Sequence, residues 1–584
     1  MKNDYIVRKT YHSFVMVAIL SSLTATAGML IDNIVVGRYL GSDALGAMGI
    51  VGPVSLVFSA IGNICSGGGG ARAAQALGRG EKDQFCLIFT TNMLFVLIVG
   101  SILTVLGLAF APAIAAMLGA RDALLLPTTQ YLYGFFLGTI PTILLSAAMC
   151  FVRIDGSPKL PLLCICVMSA ANVALDLMMV HVFHQGMFGM ALATSISYVL
   201  AVATALTHFG KKSSTLRFVR PRGFFRDLYQ TVLTGFPTAI SRISDTCKVM
   251  ILNHLLVTFV SVAAVTALNV RTTVSNFLGA VILGMGQAAT PTIGMFFGEE
   301  DPTAVKDTLK TTLRLGLAIT SVLAVVLLVF PQFFVGLLGV KEPELVDMAV
   351  MAVRLLGVAM PLQLINSVLL NYYQCTKKVS MATMICLLQS LVFTVVFSLI
   401  LIRPMGQTGV WVAFLAGELM TLVTVWLVLC RKQKKWVLSL DGILLLGDSF
   451  GGDPRDRLEL SIGNSMEDVM GVSTGIYAFG ESRNIPADTL NTLSLCIEEM
   501  AGNVVQHAFK PGEKRWLDLT IVDKQDKVIV RFRDNGSAFD PLAHVSAGEG
   551  KGYGIVMIHK LAEDFAYRRS MGLNNLIIHL RKQQ

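Results

Sequence analysis

Long apolar segments alternate with short polar loops over the first 430 residues of the chain. About twenty consecutive apolar residues are enough to cross a lipid bilayer as an α-helix. With that length as the unit, the pattern predicts twelve spans, at about 12–36, 47–77, 84–117, 126–152, 159–182, 187–209, 229–258, 265–297, 309–337, 346–373, 380–402 and 407–430. This part of the chain is therefore predicted to be a multi-pass α-helical membrane protein.

The pattern changes after the basic cluster Arg431, Lys432, Lys434 and Lys435. Alternating and short apolar runs predict strands at 457–462, 516–522, 527–533, 565–570 and 575–580, and helices at 464–481, 486–508 and 553–563. Helices interleaved with a mostly antiparallel sheet are typical of a two-layer α+β domain. The predicted organisation is two membrane lobes at 1–215 and 216–432, a linker at 433–456, and an α+β domain at 457–584.

An internal repeat relates the two lobes. Shifting the sequence by 220 residues keeps one register for about a hundred residues. Matched pairs include Ala47 and Ala267, Val54 and Val274, Gly78 and Gly298, Gly119 and Gly339, and Pro141 and Pro361. Six spans per copy is an even number, so the copies enter the membrane from the same face and form 6+6 parallel repeats about an axis normal to it.

Composition supports this picture and sets the orientation. The chain has 584 residues, of which 54% are hydrophobic and 15% charged, which excludes an ordinary soluble enzyme. The net charge of +9 arises largely from Lys and Arg in alternate loops, so it indicates membrane topology and not nucleic-acid binding. Both termini and the α+β domain are predicted to be cytoplasmic, with the spans in the plasma membrane and in contact with lipid.

Four polar residues lie within the predicted spans of the first lobe. Asp32 is in the first span, Asn172 and Asp176 are one helical turn apart in the fifth, and Thr194 is in the sixth. Charged groups inside a membrane are costly unless they are paired or face a water-filled cavity. Their oxygen atoms suit a hard cation such as Na⁺, or a proton shared between the two acids. Helix-end anchoring is the alternative.

The second lobe carries a charged stretch in its seventh span. Arg242, Asp245 and Lys248 follow at spacings of three and lie on one side of the helix, where Asp245 can neutralise either base. A structural ion pair and a substrate or cation site are both consistent with this spacing. Four further charged residues are predicted to lie near span ends and to reach the interface: Arg271, Arg314, Arg354 and Glu418.

Three motifs occur at the ends of elements in the α+β domain. Glu499, Asn503 and His507 form a polar stripe on the second helix, each four positions after the one before. Asp534 ends a strand, and Gly536 follows it in a turn. Gly550, Gly552 and Gly554 form a glycine-rich loop before a helix, where backbone N–H groups can bind phosphate oxygens.

Residues 1 to about 432 resemble the multidrug and toxic compound extrusion (MATE) family of cation-coupled antiporters. The resemblance rests on "IDNIVVGRYLGSDALGAMGI", "LGRGEKD", "FVRIDGSPKLP" and the 6+6 repeat. It implies that Asp32, Asn172, Asp176 and Thr194 form the coupling site for Na⁺ or H⁺. It also implies a half-present second site, with Asp245 as the acid of the seventh span and Asn366 where relatives carry an acid in the tenth. The family's proline in the first span is missing, since "SSLTATAGMLIDN" contains none.

The three motifs of the α+β domain together resemble the N, G1 and G2 boxes of the GHKL ATP-binding fold, and most closely the anti-sigma-factor serine kinases. On that resemblance Glu499 is the general base and Asn503 the Mg²⁺ ligand. Asp534 accepts a hydrogen bond from the adenine amino group, and Gly536 makes room for the base. Gly550, Gly552 and Gly554 cover the phosphates of ATP.

These observations favour a Na⁺- or H⁺-coupled antiporter that exports small organic solutes or drugs. The ATP domain is then a regulator or a serine-kinase-like module that binds or phosphorylates a soluble protein. One alternative is a transporter-shaped receptor that signals through Ser/Thr phosphorylation. Another is a flippase for lipid-linked precursors, which would require a wide basic cavity.

Overall fold

The structure, a computed structural model, describes residues 4–211, 214–340, 342–437, 439–447, 450–509, 515–541 and 553–582. The chain forms two compact units. The helical unit comprises Ser13–Glu299 and Thr308–Leu445. The sheet unit comprises Met1–His12, Glu300–Asp307 and Leu446–Gln584.

Eight α-helices form the first lobe. They are α1 (Tyr5–Tyr39), α2 (Ser42–Asn63), α3 (Gly70–Arg79), α4 (Lys82–Met117), α5 (Leu125–Leu137), α6 (Thr139–Ile154), α7 (Lys159–His181) and α8 (Gly186–Leu206). A π-helical turn, Ile64–Gly69, joins α2 to α3, so the two make one span. Helices α5 and α6 likewise make one span with a bend of 47°.

Seven α-helices form the second lobe. They are α9 (Phe224–Phe259), α10 (Val262–Gly298), α11 (Pro302–Val329), α12 (Pro331–Leu337), α13 (Pro343–Cys375), α14 (Val379–Leu387) and α15 (Phe393–Gln433). A π-helical turn, Leu388–Val392, joins α14 to α15. A short helix, α16 (Leu440–Leu444), follows in the linker.

Helices occupy all twelve predicted spans. Among the described residues, nine helical segments are long and apolar enough to cross a membrane, or ten if the bent pair of α5 and α6 is counted as one span. The seventh predicted span, α9, contains the charged stretch described above. The last two spans fall in one helical run, Val379–Gln433, that is broken at Gly406 (φ 57°). The chain reverses there, since Gly409 packs on Leu401 and Gly417 on Thr394. Glycine permits the left-handed conformation that this tight hairpin requires.

The predicted repeat is visible in backbone detail. Helix α4 is kinked at Phe110, and the equivalent residue 220 positions later, Phe330, separates α11 from α12. Gly119 and Gly339 also match, both with positive φ (98° and 78°).

Gly78 and Gly298, another matched pair, pack against each other across the lobes. Each glycine faces the backbone carbonyl of the residue three positions before its counterpart, Met295 and Gln75 respectively. This reciprocal contact is what a twofold axis between the lobes produces, and it leaves no room for a Cβ atom at either position.

The sheet unit contains a five-stranded antiparallel sheet in the order β1-β2-β3-β5-β4. Its strands are β1 (Arg457–Ile462), β2 (Leu517–Asp523), β3 (Lys527–Asp534), β4 (Asp564–Ser570) and β5 (Leu573–Arg581). Its helices are α17 (Met466–Ser482), α18 (Ala487–Asn503) and α19 (Tyr553–Leu561). Apolar residues of these helices and of the sheet form one core, and the bounds lie within a few residues of those predicted.

The linker predicted at 433–456 begins on the helical unit. The hydroxyl groups of Tyr372 and Tyr373 donate to the carbonyl oxygens of Leu444 and Ile443, each at 2.8 Å. Its apolar stretch is thereby anchored to the end of α13.

Candidate functional sites

Three of the four polar residues predicted in the first lobe lie together between α7 and α8. The Asn172 amide Nδ2 donates to Asp176 Oδ2 and to Thr194 Oγ1, each at 3.3 Å. Asp176 is fully buried and Asn172 nearly so. One helical turn along α7 aligns the amide with the acid, and the packing of α8 on α7 adds the hydroxyl.

Asp32 completes this group from α1. Its carboxyl group lies in hydrogen-bonding contact with that of Asp176. A hydrogen bond between two carboxyl groups requires a proton on one of them. The Oδ1 atoms of both acids are buried and have no hydrogen-bond partner among the described residues. Two such oxygens beside an amide and a hydroxyl make a donor set that fits a proton or a hard monovalent cation.

Two tyrosines near these acids were not predicted. Tyr131 of α5 is close enough to interact electrostatically with both acids, and Tyr198 of α8 with Asp32. Tyr198 follows Thr194 by four residues, so helical spacing could have indicated it. Tyr131 lies on another helix, and no local pattern in the sequence links it to the acids.

The charged stretch of α9 forms one ion pair. Lys248 Nζ lies 2.9 Å from Asp245 Oδ1, and Lys248 is mostly buried. Arg242 is exposed. Asp245 therefore neutralises Lys248, although both bases are three residues away from it along the helix.

Asn366 was predicted to form a half-present site with Asp245, but in the structure it is hydrogen-bonded to Glu418. It is fully buried, and its Nδ2 donates to the Glu418 carboxylate at 2.7 Å and to the Glu418 carbonyl oxygen at 3.0 Å. Gln389 donates to the same carboxylate at 3.3 Å. Glu418 thus supplies an acid to the second lobe from α15, which the sequence did not indicate.

The prediction that Arg271 and Glu418 lie near span ends and reach the interface is wrong. Arg271 is 6% exposed, and its guanidinium lies 3.5 Å from the centre of the Phe414 ring. Lys248 approaches the same ring at 5.7 Å. Cation–π contact and the nearby Glu418 carboxylate compensate the burial of these bases, which helical spacing along one span could not reveal.

In the sheet unit, Asp534 is held at the end of β3. Its Oδ1 accepts hydrogen bonds from the Gly536 backbone N–H at 2.7 Å and from Asn574 Nδ2 at 2.9 Å. Asn574 is its register partner on β5. Burial raises the pKa of the Asp534 carboxyl above its usual range, although both hydrogen bonds oppose that shift.

An apolar cavity lies beside Asp534. Phe532, Phe539, Ile555, Tyr567 and Leu576 are among the residues that line it, together with Asn503 and His507. Gly536 packs on Ala508 so closely that a Cβ atom would overlap the Ala508 carbonyl oxygen. This contact holds the turn after β3 against the π-helical turn Val504–Ala508 that follows α18. An apolar cavity with one buried carboxylate suits an adenine ring whose amino group donates to that carboxylate.

The remaining predicted ATP-site residues fall in two groups. The Glu499 side chain lies directly against Gly554, and a Cβ atom at that position would overlap the Glu499 carboxylate. The Asn503 amide nitrogen is buried and has no hydrogen-bond partner among the described residues. Amide oxygen and nitrogen are interchangeable by a flip, so this end of Asn503 suits a Mg²⁺ ligand. Gly550 and Gly552 lie outside the described residues.

A buried ion-pair group connects the sheet to the segment Glu300–Asp307 within the sheet unit. Asp301 is fully buried and lies 3.1 Å from Arg533 Nη1 and 3.4 Å from Arg457 Nη2. Its Oδ1 also accepts the Ala304 backbone N–H at 2.9 Å, so it caps the start of α11. Arg533 immediately precedes Asp534 on β3. No sequence pattern pointed to this group, because its members are 156 and 232 residues from Asp301 along the chain.

Two family models match the chain. Residues 18–178 and 237–400, more than half of the chain, match the model described as MatE. Residues 464–580 match the model of the histidine kinase-like ATPase domain.

Individual relatives match over the membrane part. The multidrug export protein MepA of Staphylococcus saprophyticus is 25% identical over 441 residues, which cover 74% of this chain and 95% of that protein. MepA of Staphylococcus haemolyticus is 24% identical over 415 residues, covering 70% and 90%.

Solved structures show the same fold. An outward-facing multidrug resistance MATE family transporter of the MOP superfamily superimposes with a TM-score of 0.69 at 19% identity, covering 75% of this chain and 96% of that one. A MOP superfamily transporter from Pyrococcus furiosus gives 0.68 at 19% identity, covering 75% and 96%.

Proposed function

Because the chain belongs to the MatE family and carries a histidine kinase-like ATPase domain at residues 464–580, we propose that it is a cation-coupled exporter whose activity the ATPase domain regulates. The cargo is an organic solute or drug, as the name of the similar MepA proteins suggests. The coupling ion is Na⁺ or H⁺. The lysine- and arginine-rich loops favour an arrangement in the plasma membrane with the ATPase domain in the cytoplasm.

The observation that carries the coupling proposal is the group formed by Asp32, Asn172, Asp176 and Thr194. Its two acids are in contact, and each keeps a buried oxygen without a partner among the described residues. Burial without full pairing is costly in a membrane, and it marks ion pathways. A site that alternately binds and releases a cation needs this kind of incomplete pairing.

Thermal unfolding of the purified protein tests the coupling site. NaCl at constant ionic strength, balanced with choline chloride, should raise the melting temperature of the wild type if Na⁺ binds. A rise on lowering the pH, without a Na⁺ effect, would identify H⁺. Asp176→Asn should lose either response, whereas Asp83→Asn, an exposed acid on α4, should keep it. An unchanged response in Asp176→Asn would remove the site from the proposal.

The ATPase domain is proposed to bind Mg-ATP with Asp534 on the adenine and Asn503 on the metal. ATP supplies a transferable phosphoryl group, and Glu499 is the proposed general base that accepts the proton of an attacking hydroxyl. Regulation is favoured over powering of transport because the chain carries one such domain, and power-stroke pumps close two ATP sites against each other.

Binding of a fluorescent ATP analogue tests the nucleotide site. Asp534→Asn should weaken binding by about tenfold or more, since it replaces a charge-assisted hydrogen bond worth about 1.5–3 kcal/mol. Asp564→Asn is the matched control, because Asp564 is an exposed acid in the same domain. Equal affinity in the two variants would argue against the adenine role of Asp534.

The flippase alternative receives less support. This alternative depended on the bases Arg242, Lys248 and Arg271 of the second lobe. Arg242 is exposed, Lys248 is paired with Asp245, and Arg271 lies on Phe414 near Glu418. The charges of Lys248 and Arg271 are therefore largely balanced, so these bases do not supply the wide basic cavity that a flippase requires, and this alternative would depend on basic residues outside these spans.

A further inference from the structure

A basic cavity of about 650 Å³ lies within the helical unit, away from the acids of α1 and α7. Its walls come from both lobes. Helix α3 contributes Arg72 and Arg79. Arg222 lies just before α9, Arg226 lies in its first turn, and Lys377 lies in the turn before α14. A group bound here would therefore touch both lobes at once.

The charges in this cavity are unbalanced. The wall carries five cations and one acid, Asp227. Arg72 already engages that acid, with Nη2 at 2.8 Å from Asp227 Oδ1 and Nη1 at 2.7 Å from the Asp227 carbonyl oxygen. Among the described residues, Arg222 and Arg226 have no carboxylate within ion-pair distance. Like charges gathered in a cleft repel one another, and a bound anion removes that repulsion.

We propose that this cavity binds a phosphate-bearing polyanion that bridges the two lobes. Guanidinium groups match phosphate oxygens through paired hydrogen bonds. Arg79 is paired with Glu81 at 2.9 Å, so three of the five cations, Arg222, Arg226 and Lys377, remain without a carboxylate partner among the described residues. Three excess positive charges call for a ligand with several negative charges, such as a pyrophosphate or a phosphate monoester. The same field repels organic cations, so the cavity is separate from any path for cationic cargo.

Occupancy stabilises the arrangement of the lobes seen in this structure. Gln75 lines the cavity, and its carbonyl oxygen is the atom on which Gly298 packs in the close contact between lobes. A ligand that bridges the lobes binds more tightly when they are in contact than when they separate. By linkage, it shifts the conformational equilibrium toward the contacting state.

The test uses the full-length protein in nanodiscs and follows thermal unfolding. Pyrophosphate is the soluble probe, added to discs of zwitterionic lipid. Phosphatidic acid, mixed into the discs, is the lipid probe. The variant is Arg222→Gln/Arg226→Gln, at two exposed positions where folding is not at risk. Lys432→Gln/Lys435→Gln removes two exposed charges outside the cavity and is the matched control. Any binding of pyrophosphate to the ATPase domain is common to all three proteins.

Pyrophosphate should stabilise the wild type and the control equally. If the Arg222→Gln/Arg226→Gln variant needs at least about tenfold more pyrophosphate for the same stabilisation, the result supports a soluble ligand. The same difference with phosphatidic acid alone supports a lipid headgroup. Equal responses of all three proteins to both probes would overturn the proposal.

Discussion

Replacing Asp301 by Asn should loosen the sheet unit. Asn keeps the helix cap on α11, because its side-chain oxygen can accept the Ala304 N–H. It removes the negative charge that faces Arg533, which is 2% exposed, and Arg457, which is 9% exposed. Leaving a buried base without its acid costs about 3–5 kcal/mol. In a domain of this size, each kcal/mol lowers the melting temperature by about 2–4 °C, so a fall of at least about 6 °C is expected.

Differential scanning fluorimetry with and without Mg-ATP measures this effect, since the transition that Mg-ATP raises belongs to the nucleotide-binding unit. Asp453→Asn is the control, because Asp453 also caps a helical turn and pairs with an arginine, but at an exposed position. Its transition should not move. Asp301→Asn combined with Arg533→Gln should lose less stability than the sum of the single changes. A transition in Asp301→Asn equal to that in the control would refute the reasoning.

Three further outcomes are expected. Asp534→Asn should stabilise the nucleotide-free domain at neutral pH but not near pH 3, as measured by thermal unfolding across pH. Burial raises the pKa of Asp534 in the folded state, so its contribution to folding stability is present at low pH and is lost as the pH rises through that pKa. Gly536→Ala should weaken binding of a fluorescent ATP analogue, because its Cβ would overlap the Ala508 carbonyl oxygen and displace the turn. Gly78→Ala should lower the melting temperature of the helical unit, whereas Gly49→Ala, on an open helix face, should not.

Local spacing predicted much of the fold. The twelve apolar runs located the helices. The repeat predicted from the shift of 220 residues is confirmed by the matching breaks at Phe110 and Phe330 and by the positive φ of both Gly119 and Gly339, although the sequence alone did not predict these backbone features. Such features are encoded within one element or within one repeat. The break between the last two spans was also predicted, and the structure places it at Gly406, whose φ and ψ are not helical.

Contacts between distant elements were harder to foresee. Asn172 and Asp176 were predicted together because they lie one turn apart, but Asn366 and Glu418 are 52 residues apart on different helices. Asp301 and Arg533 are 232 residues apart, and each alone is typical of an exposed loop or strand. Only the packing of the chain brings these buried charges together, so the spacing of residues in the sequence could not predict their roles.

Transport in proteoliposomes tests the central claim most directly. An imposed Na⁺ or H⁺ gradient should drive export of an organic cation by the wild type and by Asp83→Asn. Asp176→Asn and Asp32→Asn should abolish the dependence on the gradient, because each removes one of the two acids that share the site. Gradient-driven transport at the wild-type rate in both variants would contradict the account.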